Sequence, residues 1–249
     1  MDRIKPFAAY DLDGTLFKSS VLEKATNIAV ELSVFNGAAF DDANSTKEKW
    51  QIDNNEGTYN AYVKKLVDAF VGQMKGVRVD AFDEVVAELI RSQSVRRYKF
   101  TKELIRSLNT HTPILITGSP LILAQPFVED LSEIKHVFGS TYEQKDGHYT
   151  GIAHSVGSKA VILQNLINTG AISQNGSIAV GDTMSDNPML HMATHPIMFN
   201  PSHTLANYGQ EFGWDKVFET KDNITPLVAG AGTYAEVKLG TYLNSLRDN

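Results

Sequence analysis

Asp11 and Asp13, in the stretch "YDLDGTLF" (10–17), place two carboxylates two residues apart directly after an apolar run. Carboxylates so spaced can hold a hard cation, hand a proton on and off, or attack an electrophile. A calcium loop opening at Asp11 is excluded. It would need Gly at its sixth position and Glu at its twelfth, and these are Leu16 and Leu22. What remains is a catalytic pair or a plain acidic turn, and the pair alone does not choose between them.

Three further stretches bear on that choice. "SIAVGDTMSDNPML" runs from an apolar strand into Gly181-Asp182 and then Asp186. Asp186 or Ser185 there suits a helix cap, with Pro188 in the first turn, but capping leaves Asp182 unexplained. Asp182 falls where open α/β sheets bind ligands, at the carboxyl edge of the strands. Three carboxylates gathered at that edge repel one another unless a cation sits among them. Oxygen ligands without His or Cys favour a hard ion, and Mg²⁺ suits a site shared with a phosphate. "PILITGSP" ends in Thr117, Gly118 and Ser119, where a hydroxyl and backbone N–H groups can meet phosphate oxygens; Ser119 equally suits a helix cap. "VGSKAVIL" puts Lys159 in the first turn of a helix, against the helix dipole, where it could neutralise phosphate and carboxylate charge.

These residues need a scaffold that brings strand ends together. Phe7 to Leu12 reads as a short buried strand, which would turn Asp11 and Asp13 to one face and Leu12 into the core. From about Ser19 to Tyr98 apolar residues recur at helical spacing, as in "VLEKATNIAVELSVF" and "TYNAYVKKLVDAFVGQM", without proline. After Lys99 helices and short strands alternate: helix "KFTKELIRSLNTH", strand "PILIT", helix "LILAQPFVEDLS" and strand "HVFGS". A hairpin follows about Asp146-Gly147, then a helix stopped by Gly170, strand "SIAVGD", helix "NPMLHMATH", strand "PIMFN" and helix "HTLANYGQEFG". The end, "VAGAGTYAEVKLGTYLNSLRDN", is expected as a helix packed on the core. This order implies an α/β fold with a doubly wound parallel sheet. The helical block separates the first strand from its sheet, so it is an insertion. The expected division is a core of residues 1–18 and 96–249 and an inserted helical domain of 19–95.

Composition narrows the partners. The 249 residues carry a formal charge of −6, 42% are hydrophobic, and there is no cysteine. Disulfides, thiolate metal sites and cysteine nucleophiles are therefore excluded. No basic face for nucleic acid is evident; Arg91, Arg96, Arg97 and Lys99 read as a solvated cluster. Neither a signal peptide nor a membrane span is readable, so a cytoplasmic monomer or homodimer is expected.

With its motifs in order, the sequence resembles the haloacid dehalogenase-like superfamily of aspartate-nucleophile phosphatases. "DLDGT" matches the first motif, "ILIT" with Thr117 the second, Lys159 in "GSKA" the third and "GDTMSDNPML" the fourth. The helical insertion, "DGHYTG" and the "ML" after the fourth motif resemble subfamily IB, the phosphoserine phosphatase-like branch with a C1 cap. The resemblance implies a Rossmann-like core and a Mg²⁺-dependent phosphatase acting on a small phosphorylated metabolite. It implies Asp11 as nucleophile and Asp13 as acid and base. The metal is then held by the Asp11 carboxylate, the Asp13 backbone carbonyl and Asp182, while Asp186 supports the metal or orients Lys159. Thr117, Gly118 and Lys159 would hold the phosphate.

Two departures bear on substrate. Phosphoserine phosphatases carry a Glu nine residues after the nucleophile to hold the substrate ammonium, and that position is Ser20. Their second motif reads Ser-Gly-Gly, against Thr-Gly-Ser-Pro here. Both argue against phosphoserine. Trp50, Glu56, Tyr59, Lys64 and Lys65 lie on the insertion, and the sequence assigns none of them to the pocket. Phosphotransfer to an alcohol and a non-catalytic phosphate-binding role are the competing expectations.

Overall fold

The computed structural model describes residues 4–93, 96–129, 131–221 and 223–248. One sheet organises the molecule. Its strands, in chain order, are β1 (Pro6–Tyr10), β2 (Thr112–Pro120), β3 (His136–Lys145), β4 (His148–His154), β5 (Ser173–Gly181), β6 (His195–Phe199), β7 (Asp215–Glu219), β8 (Ile224–Gly230) and β9 (Thr233–Glu236). They lie side by side in the order β4-β3-β2-β1-β5-β6-β7-β8-β9. The six central strands, from β3 to β7, pair in parallel, and both ends are finished by antiparallel hairpins.

The pleat of β1 shows how sequence builds the layers. Ala8 and Tyr10 face one core, Phe7 and Ala9 the other, and all four are fully buried. Covering the Phe7 face are α7 (Lys159–Asn168), α8 (Asn187–Met192) and α9 (His203–Glu211), which send in Leu163, Met189, Leu190 and Leu205. Onto the Tyr10 face pack α5 (Lys99–Ser107), α6 (Leu121–Phe127) and α10 (Leu239–Asp248), through Phe100, Leu104, Phe127 and Tyr242. Side chains of this size contribute about 1.5–3 kcal/mol each when fully buried. The doubly wound parallel sheet expected from the alternation is present.

Between β1 and β2 stand α1 (Val21–Glu31), α2 (Asp41–Asp53), α3 (Glu56–Met74) and α4 (Val79–Gln93). On α3 the buried residues Tyr62, Leu66, Phe70 and Met74 recur every fourth position, a single stripe down one face. Phe35 joins the helices, stacking on Phe40 and Phe82 and meeting Phe70 edge-on. Residue 95, the expected end of the insertion, and residues 1–3, 130 and 249 lie outside the described residues.

Several elements differ from expectation. The first strand ends at Tyr10, so Asp11 and Asp13 lie beyond it and the two-residue strand period does not govern them. The helix expected over 121–132 stops at Phe127, one residue past Pro126, whose ring and missing N–H oppose continuation. The segment expected as a C-terminal helix is helical only from Leu239; before that it forms the β8–β9 hairpin. Ala231 and Gly232, both at positive φ (48° and 79°), make its tight turn, and that backbone suits a two-residue hairpin. No helix among the described residues is long and apolar enough to cross a membrane.

The two chain segments leading into and out of the helical insertion are tied together. Lys18 N–H donates to Arg96 O at 2.9 Å and Tyr98 N–H to Leu16 O at 3.0 Å. The buried Glu219, from the end of β7, accepts from Lys99 and Phe100 N–H at 3.1 and 2.8 Å. It thereby caps α5, whose own N-cap residue Tyr98 supplies no side-chain bond. Lys18 closes the junction with an ion pair to Glu219 at 3.1 Å. Glu219→Ala strips these donors of their acceptor. It should lower the unfolding free energy by about 2–3 kcal/mol. Urea unfolding measures it, and a loss under about 0.5 kcal/mol would refute the capping role.

Candidate active site

The site forms where chain direction in the sheet divides: β1 runs between β2 on one side and β5 on the other. Such a switch point leaves a crevice at the carboxyl ends of its strands. Asp11 follows β1, Asp182 follows β5, and Thr117 lies near the end of β2. Pairing between β2 and β3 breaks register between Ile116 and Pro120, across Thr117–Ser119. A register break of this kind re-aims side chains at a strand end.

Lys159 stands at the first position of α7 and is only 6% exposed. Its ammonium donates to Asp11 Oδ1 and to Asp186 Oδ1, the latter at 2.6 Å. Burial alone would drive this ammonium's pKa down, but the charges of Asp11 and Asp186 outweigh it and hold it above its ordinary value. The other oxygen of Asp186 accepts from the N–H groups of Asp182 and Thr183 at 3.0 and 3.1 Å. Asp186 precedes α8 but makes no side-chain cap bond to it, against expectation. Its carboxylate instead closes a capping box on the preceding Thr183 turn and grips Lys159.

Carboxylate oxygens of Asp11, Asp182 and Asp186 all lie within 4.8 Å of one another. Burial comes first in raising Asp11 to about 7 and in raising Asp182 well above its ordinary value; neighbouring carboxylates add to both. Hard oxygen donors crowded in this way fit a divalent cation such as Mg²⁺, whose charge would relieve the repulsion. Two glycines permit the crowding. Gly14, at φ +83°, has Asp182 Oδ2 only 2.0 Å from where a Cβ would stand. At Gly181 a Cβ would lie 2.4 Å from that of Asp186.

Asp13 is set apart from this cluster. Its Oδ1 accepts from Val21 N–H at 2.5 Å, and its Oδ2 from the Ser119 hydroxyl at 2.5 Å. Burial raises its pKa to about 6 against the lowering effect of those two bonds. Val21 opens α1, so a backbone donor at a helix N-terminus holds this carboxylate. Thr117 is buried, and its hydroxyl accepts from Ser119 N–H at 3.0 Å. Gly118 is exposed, and its carbonyl accepts from Ser140 at 2.8 Å.

Of the residues expected from the sequence, the fold brings Asp11, Asp13, Thr117, Lys159, Asp182 and Asp186 to one sheet edge. The sequence did not anticipate Ser119 as the partner of Asp13; α6 begins after Pro120 and has no side-chain cap. Nor did it anticipate Val21 N–H, because a backbone donor has no residue-type signature. Thr15, 3.4 Å from Asp182 Oδ1, is a further neighbour. Lys64 and Lys65 are engaged elsewhere, with Asp68 at 2.6 Å and Asp42 at 2.8 Å.

The family model for haloacid dehalogenase-like hydrolases matches residues 8–191, and the chain belongs to that family. A curated phosphoserine phosphatase from Archaeoglobus fulgidus is 23% identical over 212 residues, which are 83% of this chain and 56% of that protein. The chain thus spans about half the length of the curated relative it matches. A protein of unknown function from Bordetella pertussis Tohama I shares the fold with a TM-score of 0.66 at 19% identity, over 86% of this chain and 98% of that one. A phospho-aspartyl intermediate analogue of phosphoserine phosphatase aligns with a TM-score of 0.60 at 18% identity, over 82% and 91%.

The raised carboxyls tie stability to pH with a definite sign. Folded Asp11 and Asp13 release protons near pH 7 and 6, whereas unfolded carboxyls do so near ~4. Between those values the cation-free folded chain binds more protons than the unfolded one, so its stability falls as pH rises. With chelator present, Tm should be about 4 °C or more higher at pH 5 than at pH 8. Added Mg²⁺ should narrow the gap. A Tm that rises with pH under chelation would contradict the assignment.

Proposed function

We propose that this protein hydrolyses a small phosphomonoester through an aspartyl-phosphate on Asp11, with Mg²⁺ bound at the acidic cluster. The observation that carries the reading is the separation of roles: Asp11, Asp182 and Asp186 converge around Lys159, while Asp13 is held apart by Ser119 and Val21. A structural acidic turn has no need of such a division.

The chain's own groups account for both halves of the reaction. An Asp11 oxygen attacks phosphorus and the ester P–O bond breaks, leaving the phosphoryl group on Asp11. Asp13 gives its proton to the departing alkoxide, and a carboxyl with a pKa of about 6 is available for this near neutral pH. Water then attacks phosphorus, yields its proton to Asp13, and phosphate leaves as the Asp11–phosphorus bond breaks. Lys159 balances charge beside the nucleophile, and Thr117 is the hydroxyl for a phosphate oxygen, with Gly118 beside it. Mg²⁺, held by Asp11, Asp182, the Asp13 carbonyl and the support of Asp186, would supply charge neutralisation between carboxylate and phosphate. Helices α1–α4 act in this reading as a cap, joined to the core near residues 18 and 96.

Asp11→Asn keeps the shape of the side chain and removes the nucleophile. Phosphate release from an aryl phosphate should fall by about 10³-fold or more, with the far-UV spectrum unchanged. Wild-type activity that survives complete chelation, or an active Asp11→Asn variant, would overturn the reading. A phosphorylated alcohol accumulating in place of free phosphate would instead favour phosphotransfer.

A further inference from the structure

Glu23 stands on α1 two residues past Val21, whose N–H grips Asp13, and Tyr59 feels the charge of Glu23 and of the active-site carboxylates alike. Both of its oxygens are taken: Oε1 accepts from Lys47 Nζ at 2.7 Å and Oε2 from Tyr62 OH at 2.7 Å. Lys47 Nζ also lies 5.9 Å from the centroid of the Tyr62 ring. Trp50 is parallel to Tyr62 at 6.4 Å and tilts against Tyr59 at 4.9 Å. Tyr62 is buried, and the side chains of Glu23 and Lys47 are only 20% and 28% exposed. The group draws on three helices, so it is built by tertiary packing.

A carboxylate next to aromatic faces is the chemistry that captures an ammonium ion. Here the chain's own Lys47 occupies that place. Burial would raise the Glu23 carboxyl, but the bonds from Lys47 and Tyr62 outweigh it and keep it below its ordinary pKa. The pair is thus an ammonium and a carboxylate that cancel. Tyr59, next in the aromatic group, is half-buried, and burial followed by the charges of Asp182, Asp13 and Asp11 raises its hydroxyl to about 12. It remains a protonated donor near the carboxylates, with no hydrogen-bond partner among the described residues.

We propose that Glu23, Lys47, Trp50, Tyr59 and Tyr62 form the leaving-group end of the pocket. They select phosphomonoesters of neutral, polyhydroxylated ring alcohols, that is sugar phosphates, over phosphorylated amino alcohols. This rests on the hydrolase reading above. A sugar ring offers C–H faces to Trp50 and Tyr59 and hydroxyls to Tyr59, Lys47 and Glu23, which keep unused donors and lone pairs. An incoming ammonium meets Lys47 already in its place and has no second carboxylate in this group to pair with.

The test is steady-state kinetics on a panel of sugar phosphates, O-phosphoserine and phosphoethanolamine, with an aryl phosphate as reference. The best sugar phosphate should exceed both amino compounds in kcat/KM by about tenfold or more. Lys47→Met bares Glu23 and should shift the phosphoethanolamine-to-sugar-phosphate ratio about tenfold toward the amine. Tyr59→Phe and Trp50→Ala should each cost a sugar phosphate about fivefold more than the aryl phosphate. Circular dichroism and Tm identify any variant that fails to fold, and Lys47→Gln serves as the second variant. Preference for O-phosphoserine in the wild type overturns the inference, as does an unmoved ratio in both folded Lys47 variants. Asp11-dependent aryl phosphatase activity with such a preference leaves the hydrolase reading standing. A wild-type protein inert toward every phosphate removes both.

Discussion

A single buried ammonium sets the terms for the rest of the site. Lys159 is held against the dipole at the start of α7 by Asp11 and Asp186, and four carboxylates, counting Asp13 and Asp182, meet at its sheet edge. One ammonium cannot balance four carboxylates, so burial and mutual repulsion raise Asp11, Asp13 and Asp182 together. The residual charge is the reason a divalent cation fits there. It is also why Gly14 and Gly181 carry no side chain: a Cβ at either would enter the space the carboxylates occupy.

The same constraint reaches the helices inserted between β1 and β2. Asp13 is kept out of the cluster by Val21 N–H, and Val21 begins the first inserted helix. The Asp13 carboxylate and the first inserted helix are thus mechanically joined. Ser20 caps that helix by accepting from Glu23 N–H at 3.3 Å, which sets Glu23 in its first turn. At the far side of the junction Glu219 ties Lys18 to the start of α5. Core and helical insertion therefore share charged, buried fastenings in addition to apolar packing.

Legibility varied with the range of the interaction. Asp11, Asp182 and Lys159 could be found because each follows or opens an element with a clear local signal: an apolar strand, a Gly-Asp at a strand end, a helix start. Ser119 was read as a phosphate-side or capping residue. Its partner Asp13 is 106 residues away, and no local pattern encodes that bond. The C-terminal segment misled because Leu227–Gly230 and Thr233–Glu236 are short and rich in small residues, so helical and strand periods are hard to separate there. Pairing with β7, itself unanticipated, decided for strands.

The sequence by itself determined the family, the α/β order, the helical insertion and the carboxylates, lysine and hydroxyl that meet at the sheet edge. Local periodicity and strand-end chemistry are properties of neighbouring residues, and they survive in one dimension. Only the tertiary structure decided that Asp13 stands apart from the other carboxylates and that Asp186 grips Lys159. It alone showed that Glu23, one turn beyond Ser20, already holds Lys47 and Tyr62. Those facts depend on burial and on contacts between distant segments, and both come into being only when the sheet edge and the inserted helices close on each other.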